Sequence, residues 1–359
     1  MRFLLPIAAL AALFAWWTFA HRGPAPLVVY CAHDSIYSEK ILRDFEKRTG
    51  IPVAIRFDTE ATKSLGLVEL LVQEKDAPRC DVFWNNELLG TMDLAERGIL
   101  EPYKGAGWQG IPEKFRDADG HWTGFAARMR VFIFNPNKLT ADQIAAMLDG
   151  DLERVAIAKP LYGTTFTHYC ALWKMLGADG LKAWHRDTRA RGLVELNGNA
   201  AVKDAVARGA CDLGFTDTDD FFEAKDDGKP VAFVPVTLPA PDGKPQISRI
   251  DADSPTAILP SENPRQSAVI QIPNTVAIIR GTKREGDARK LVDFLLSEET
   301  ELALARSKSR QIPLGPVPAD QLPAEVSELA LWAINSVDLT KLGPAREECL
   351  AWLKSEYLK

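Results

Sequence analysis

The chain has 359 residues, enough for two domains of ordinary size, each with its own core. Its 46% hydrophobic and 26% charged content is that of a soluble globular protein. A net charge of -6, with no basic cluster interleaved with aromatics, argues against nucleic acid or an anionic membrane as main partner.

In chain order, Arg2 precedes the apolar run "FLLPIAALAALFAWWTF", and small residues ending at Ala20 offer a cleavage site. Residues 1–25 therefore read as a signal segment, which predicts a periplasmic or otherwise extracytoplasmic protein. An uncleaved membrane anchor is the alternative, because the run approaches the length of a span. Export permits disulfides. Yet Cys31, Cys80, Cys170, Cys211 and Cys349 are odd in number, scattered, and without CxxC or zinc-ligand spacing, and they read as buried free thiols.

"PLVVYC" is a short apolar strand. A helix follows with Ile36, Ile41 and Phe45 at helical spacing and Gly50 as its stop. "IPVAIRFD" and "CDVFWN" are further strands, each followed by a helix, "TKSLGLVELLVQEK" and "ELLGTMDLAERG". This alternation implies right-handed crossovers and a parallel sheet. A second set begins after about residue 135: strands in "RVAIAKP", "GLVEL", "CDLGFTD" and "PVAFVPV", with helices in "TFTHYCALWKML", "NAAVKDAVARG" and "DDFFEAKDDG". A Pro-rich stretch of weak periodicity covers roughly 239–268. "AVIQIPNTVAIIRG" returns as a strand, and "REGDARKLVDFLLSEETELALARS" reads as one long amphipathic helix. Two helices are expected in the tail, near 324–337 and 345–357. The fold class is α/β, with two lobes and a cleft between them.

Ligands of open α/β sheets sit beyond the carboxyl ends of the strands. The residues there are His33, Asp34 and Ser35; Asp58, Thr59, Glu60 and Thr62; and Asn85, Asn86 and Glu87. In the second set they are Tyr162 to Thr165, Asn197 to Asn199, and Thr216, Asp217, Thr218, Asp219 and Asp220. Any one of these is explained as a helix N-cap, and Asp217 or Thr218 is expected to cap the helix carrying Phe221 and Phe222. Density favours a ligand site, since a cap needs one residue and "DTEAT", "NNE" and "TDTDD" supply several each. Arg128 in "FAARMRVFIFN" lies near a lobe crossing, to meet an anion or to form a structural ion pair. Asn274 in "IPNTVAI" is expected at the cleft rim. Trp84 reads as core, His121 as a solvent-facing turn residue, and His168 as a satisfied interior histidine.

The segments "VVYCAHD", "YSEKILRDFEKRTGIPV", "DVFWNNELLGTMDLAERGILEPY", "GTTFTHY", "LGFTDTDDFFEAKDDGKPV", "IPNTVAIIRG" and "SKSRQIPLG" together resemble the periplasmic substrate-binding proteins of ABC importers, closest to the ferric-ion-binding, transferrin-like group. The resemblance covers about residues 27 to 317. It implies a type II binding protein with mixed, mostly parallel sheets and a hinge of crossing strands near 126–135 and 230–280. Lobe 1 would take 26–127 and 269–305, lobe 2 would take 128–268, and 306–359 would be a C-terminal helical segment packed on the lobes. It also implies docking of a monomer to an inner-membrane permease. Carried over residue by residue, His33 falls near the group's histidine and Glu87 near its glutamate, while Asp219 and Asp220 replace its tyrosine pair. Those four could hold Fe3+ with an anion completing the shell, and Thr164 and Thr165 match the group's anion-binding turn. The same acidic turn also suits an organic ammonium group, with a phosphoryl or carboxylate end at the threonines. Phosphonates, sugar phosphates and other organic solutes, cationic metabolites included, are thus the alternative ligands, and no cofactor is required.

Other classes find less in the sequence. Paired carboxylates such as Asp217 with Asp219 or Glu60 with Glu87 could serve a glycosidase, but there is no GxSxG elbow, HExxH or phosphate P-loop. A membrane-tethered ligand sensor would need a signalling partner.

Overall fold

The structure, a computed structural model, describes residues 25–58, 65–238 and 268–358. Residues 1–24 of the signal segment, Thr59, Glu60, Thr62 and all but the last residue of the Pro-rich stretch lie outside the described residues.

Lobe 1 opens with β1 (Leu27–Cys31), α1 (Ser35–Thr49), β2 (Val53–Phe57), α2 (Leu65–Gln73), β3 (Val82–Asn85), α3 (Leu89–Glu96) and the short β4 (Leu100–Glu101). A long strand, β5 (Thr123–Phe134), then leaves for the second lobe. That lobe holds α4 (Ile144–Asp149), β6 (Val155–Ala158), α5 (Gly163–Ala190), β7 (Val194–Leu196), α6 (Asn199–Ala207), β8 (Leu213–Asp217), α7 (Thr218–Asp226) and β9 (Ala232–Pro235). The two-residue β10 (Thr237–Leu238) and β11 (Ala268–Val269) pair with each other, and β12 (Gln271–Ile279) carries the chain back. The remaining helices are α8 (Glu285–Leu295), α9 (Glu298–Ala305), α10 (Ala324–Ala333) and α11 (Gly343–Tyr357).

One strand order, β2-β1-β3-β12-β5-β8-β6-β7, runs through both lobes. Pairing is parallel within each βαβ core (β1 with β2 and β3, β6 with β7 and β8), as the alternating sequence predicts. It is antiparallel wherever β5 and β12 pass. The first half of β5 pairs with β12 and the second half with β8 and β9, so this strand belongs to both sheets. Separate apolar clusters lie on the two sides, one around Phe45, Trp84 and Leu291, another around Ile133, Val202 and Phe222.

The expected single helix after β12 is two. It breaks after Leu296, and Ser297 caps α9 by accepting from Thr300 N at 3.3 Å. Ser297 followed by three carboxylates within the next four residues is an N-terminal signal that the apolar periodicity hides.

Within the half of β5 that pairs with β12, Ala126 has φ 41°, and the register of β12 shifts opposite it, between Pro273 and Asn274. A non-glycine residue there needs outside support. Glu301, fully buried on α9, accepts from Ala126 N at 3.0 Å, Leu314 N at 3.1 Å and Gly315 N at 2.9 Å. Asn274 Nδ2 donates to the Ala126 carbonyl and to Gln311. Asn274 is thus a fully buried hinge residue rather than the cleft-rim residue expected from sequence.

Burial raises the Glu301 pKa from 4.5 to about 7, against the pull of the Gly315, Leu314 and Ala126 amides. Its contribution to stability is therefore present below about pH 4.5 and is lost as the pH rises through about 7. Glu301→Gln is expected to remove a pH-dependent change of about 3 kcal/mol across that window. The check is thermal unfolding of both proteins from pH 4.5 to 8. Parallel curves would show that Glu301 does not titrate there.

Candidate functional site

The carboxyl ends of the strands of both lobes meet at a cleft of about 520 Å³. Its lobe 2 wall is built on β5 and β8 and on the starts of three helices. Arg128 and Arg130 are two apart on β5 and so share a face. Both point at Asp217, the last residue of β8. Arg130 Nη1 donates to Asp217 Oδ1 at 2.9 Å, and Arg128 Nε to Asp217 Oδ2 at 3.4 Å. Thr164 Oγ1 donates to Oδ2 at 2.5 Å and Asn199 Nδ2 at 2.9 Å. Asp217 occupies the N-cap position of α7, but its side chain makes no capping bond; its oxygens serve the arginines instead. Thr218 is likewise diverted, its hydroxyl accepting from Met129 N at 3.2 Å.

The first turn of α7 brings the rest of the acidic turn. Asp219 Oδ2 lies 3.6 Å from Arg128 Nε, and Asp220 accepts from Thr216 Oγ1 at 2.5 Å. Carboxylate oxygens of Asp217, Asp219 and Asp220 all lie within 4.8 Å of one another. Burial lowers the Arg128 pKa, but Asp219, Asp217 and Asp34 outweigh it and hold the guanidinium above its ordinary value. Arg128 Nη2 also donates across the cleft to the Asn86 carbonyl at 2.6 Å. Arg128 is thus the ion pair that the sequence allowed, and it lines the cleft as well.

Two helix N-termini open on the same space, α5 at Gly163 and α6 at Asn199. First-turn amides have no intrahelical acceptor and favour anions. Gly163 has φ 53°, a left-handed conformation that glycine adopts freely where the chain enters α5. Thr164 donates to Asp217 and Thr165 to Asn199 Oδ1, at 3.2 Å, so both threonine hydroxyls are tied into the wall.

Lobe 1 supplies Asp34, Tyr37 and Asn86. The other expected residues there serve the fold. Glu87 is buried, accepts from Leu89 N at 2.6 Å and Gly90 N at 2.7 Å, and so caps α3. A Cβ at Gly90 would come within 2.6 Å of Glu87 Oε1, so glycine permits this cap. Burial raises the Glu87 pKa, against those two amides and Asn85. Fully buried Asn85 bonds Glu87 and Thr91. His33 is buried on Trp84, 5.3 Å between centroids, with Nε2 2.7 Å from Gln311 Nε2. The four proposed iron ligands therefore do not converge. Asp219 and Asp220 come together, while His33 packs on Trp84 and Gln311, and Glu87 is held by the α3 amides and accepts from Thr167 Oγ1 of α5 at 3.4 Å. Asp58 accepts from Leu67 N, and Ser35 starts α1 on the exposed surface.

Trp84 is core, and its Nε1 has no hydrogen-bond partner among the described residues. His168 is interior with its pKa lowered to about 3 by burial and by Arg130; its Nδ1 lacks a partner among the described residues, so it is not the satisfied histidine expected. His121 is half-buried rather than solvent-facing, with Nδ1 2.8 Å from Asp117. Sequence reasoning missed Arg130, Tyr37, Lys203 and Tyr357 in or beneath the cleft wall. Arg130 had a signal, a second arginine two residues along an apolar strand. Tyr357, from the far end of the chain, had none.

The cleft thus sets carboxylates, two helix N-termini, Arg128 and Lys159 around one space, with the Asp217, Asp219 and Asp220 carboxylates and the helix N-termini on the same wall. Among known proteins, the chain is 27% identical over 221 residues to an Fe(3+)-binding periplasmic protein of Serratia marcescens, a match covering 58% of this chain and 62%, under two thirds, of that relative. Iron-bound HitA from Pseudomonas aeruginosa superposes with TM-score 0.74 at 19% identity, covering 92% of this chain and 99% of that one. AfuA from Actinobacillus pleuropneumoniae, with exogenous fructose-6-phosphate bound, gives 0.68 at 16% identity, covering 93% and 99%. Both structures share the two-lobed fold. Residues 27–307 match the family of bacterial extracellular solute-binding proteins, and the chain belongs to that family.

Proposed function

We propose that this protein is the extracytoplasmic solute-binding component of an ABC importer, taking ferric iron with an oxyanion into the interlobe cleft. The supporting observation is the group of three carboxylates, Asp217, Asp219 and Asp220, beside two helix N-termini on one cleft wall. Hard carboxylate oxygens suit ferric ion. Asp219 and Asp220 would contact the cation, with Asp217 held in place by the two arginines. The oxyanion would sit on the first-turn amides of α5 and α6, near Arg128. The Serratia marcescens relative and HitA support iron as the cargo by their own descriptions.

The mechanism is binding and closure. Bending where β5 and β12 cross would close the lobes over the cargo, and loss of water would strengthen each polar contact. Release requires a permease that favours the open form. The lobe limits 26–127 with 269–305 and 128–268, docking through both lobes, and a monomeric state belong to the same proposal.

A second reading, a sugar phosphate or similar phosphorylated solute, is favoured by one observation. Asp217 is neutralised by Arg128 and Arg130, so the Asp219 and Asp220 carboxylates beside it would meet hydroxyl or ammonium groups of the solute while the helix N-termini take the phosphoryl end. The AfuA likeness is consistent with it.

Thermal-shift titration with ferric citrate, fructose 6-phosphate and inorganic phosphate separates the two. A ligand at 100 times its dissociation constant is expected to add about 2.7 kcal/mol. A shift with ferric citrate but not with citrate alone supports iron. A shift with fructose 6-phosphate alone replaces iron by the second reading, and no shift with any of the three removes both.

A further inference from the structure

In lobe 2 the strand order from the crossing outward is β5-β8-β6-β7, and β7 ends it. The register sets Phe215 of β8 beside Ile157 of β6, and Ile157 beside Glu195 of β7, so the three carboxyl ends stand level. The residues that follow them line the cleft in the same order. Asp219 and Asp220 come after β8, Lys159 and Gly163 after β6, and Asn197 and Asn199 after β7. Neighbouring strands are about 4.8 Å apart, so this wall extends roughly 10 Å from the acidic turn to the end of β7. A metal ion with one small oxyanion covers only part of that length.

Beyond β7 the wall comes from a distant part of the chain. Tyr357, at the end of α11, and Leu358 line the cleft. Leu358 is 58% exposed and belongs to the rim, while Tyr357 is half-buried and held from several sides. Its hydroxyl donates to Glu195 Oε1 on β7, and Arg189 Nε lies 3.8 Å from the other oxygen of that carboxylate. With its proton committed to Glu195, the hydroxyl can only accept from His185 Nε2, 3.5 Å away. The Arg189 guanidinium lies over the ring, 5.9 Å from its centroid. The helix that carries Tyr357 is itself fixed on α5. Trp173 Nε1 donates to Glu348 Oε2 at 3.1 Å, and Trp352 stands edge-on to His185, 5.3 Å between centroids. The Tyr357 ring is thus preorganised at the end of the cleft by its neighbours.

We infer that Tyr357 is a specificity-determining residue, which closes the far end of the cleft and limits the length of the solute. The solute it admits has one end at Asp219 and Asp220, an anionic end on the first-turn amides of α5 and α6 near Lys159, and no bulky group beyond them. A longer solute meets the ring. To enter, it must break the bond between Tyr357 and Glu195 and leave that half-buried carboxylate with one partner fewer, so the wall acts against longer competitors. The inference rests on the proposed function in taking this cleft as the ligand site, with either cargo.

The test is calorimetry on the full-length wild type, Tyr357→Ala and Tyr357→Phe, with pairs of probes of like chemistry and different length. Fructose 6-phosphate is set against fructose 1,6-bisphosphate, and ferric ion with phosphate against ferric ion with tripolyphosphate. Comparing each variant with wild type in the same solution cancels the chemistry of the free probe. Tyr357→Ala is expected to shift the ratio of affinities toward the longer member by roughly tenfold or more. Tyr357→Phe keeps the ring and is expected to keep the wild-type ratio. A merely structural role at the end of α11 would weaken both members alike and leave the ratio unmoved. An unchanged ratio in Tyr357→Ala, with a wild type that binds the shorter member, overturns the inference and leaves the proposed function standing. A wild type that binds the longer member as tightly as the shorter overturns it without any variant. A wild type that binds none of the four removes the proposed cargo and the length limit together.

Discussion

Replacing Arg130 with methionine is expected to destabilise the fold by about 3 kcal/mol, the lower end of the range for removing one partner of a buried ion pair. Arg130 is fully buried, and its Nη1 donates to Asp217 at 2.9 Å, Thr164 at 3.2 Å and Asn199 at 3.3 Å. Methionine keeps most of the aliphatic stem and removes the charge. Asp217 would then rely on Arg128, which is also shared with Asp219 and the Asn86 carbonyl. Nε and Nη2 of Arg130 have no partner among the described residues, so the pair is not ideally satisfied, which is why the upper end of the range is not expected. The double change Arg130→Met with Asp217→Asn should recover much of the loss, because both charges leave together. Urea unfolding of the three variants measures this. A single-variant loss below about 1 kcal/mol would mean that Arg128 alone suffices to neutralise Asp217.

The parts of the fold written in short-range pattern were legible. Apolar runs of four to six residues, each followed by a helical period and a glycine stop such as Gly50, encode the two βαβ sets. The strand-end rule likewise led to the acidic turn and to Thr164 and Thr165, which line the cleft. Side-chain direction was not legible. Glu87 and Asn86 are neighbours after the same strand, yet one turns into its own helix start and the other's carbonyl meets Arg128. Asn274 looks like a rim residue until the β12 register shift places it against Ala126. Resemblance carried His33 and Glu87 as metal ligands from matching positions, whereas Gln311 and the α3 amides, distant or backbone partners, decide where those side chains point.

Removal of both turn carboxylates, Asp219→Ala with Asp220→Ala, is expected to weaken ferric citrate binding by roughly 100-fold or more. A bond to a charged group contributes about 1.5–3 kcal/mol, and two of them correspond to at least two decades in affinity. The fold should survive. Asp219 and Asp220 lie in the first turn of α7, where a carboxylate contributes about 0.3–1 kcal/mol through the helix dipole. Arg128 would keep Asp217 and the Asn86 carbonyl as partners, so no buried cation is stranded. The amide pair Asp219→Asn with Asp220→Asn separates charge from shape. Under the iron reading it should bind as poorly as the alanine pair, because a neutral amide is a poor ligand for a hard trivalent cation. Under the sugar-phosphate reading it should retain part of the affinity for fructose 6-phosphate, since an amide oxygen still accepts from a hydroxyl. Calorimetry with ferric citrate and with fructose 6-phosphate on the three proteins gives both comparisons. Wild-type affinity in the alanine pair, for whichever of the two the native protein binds, would remove Asp219 and Asp220 from the site.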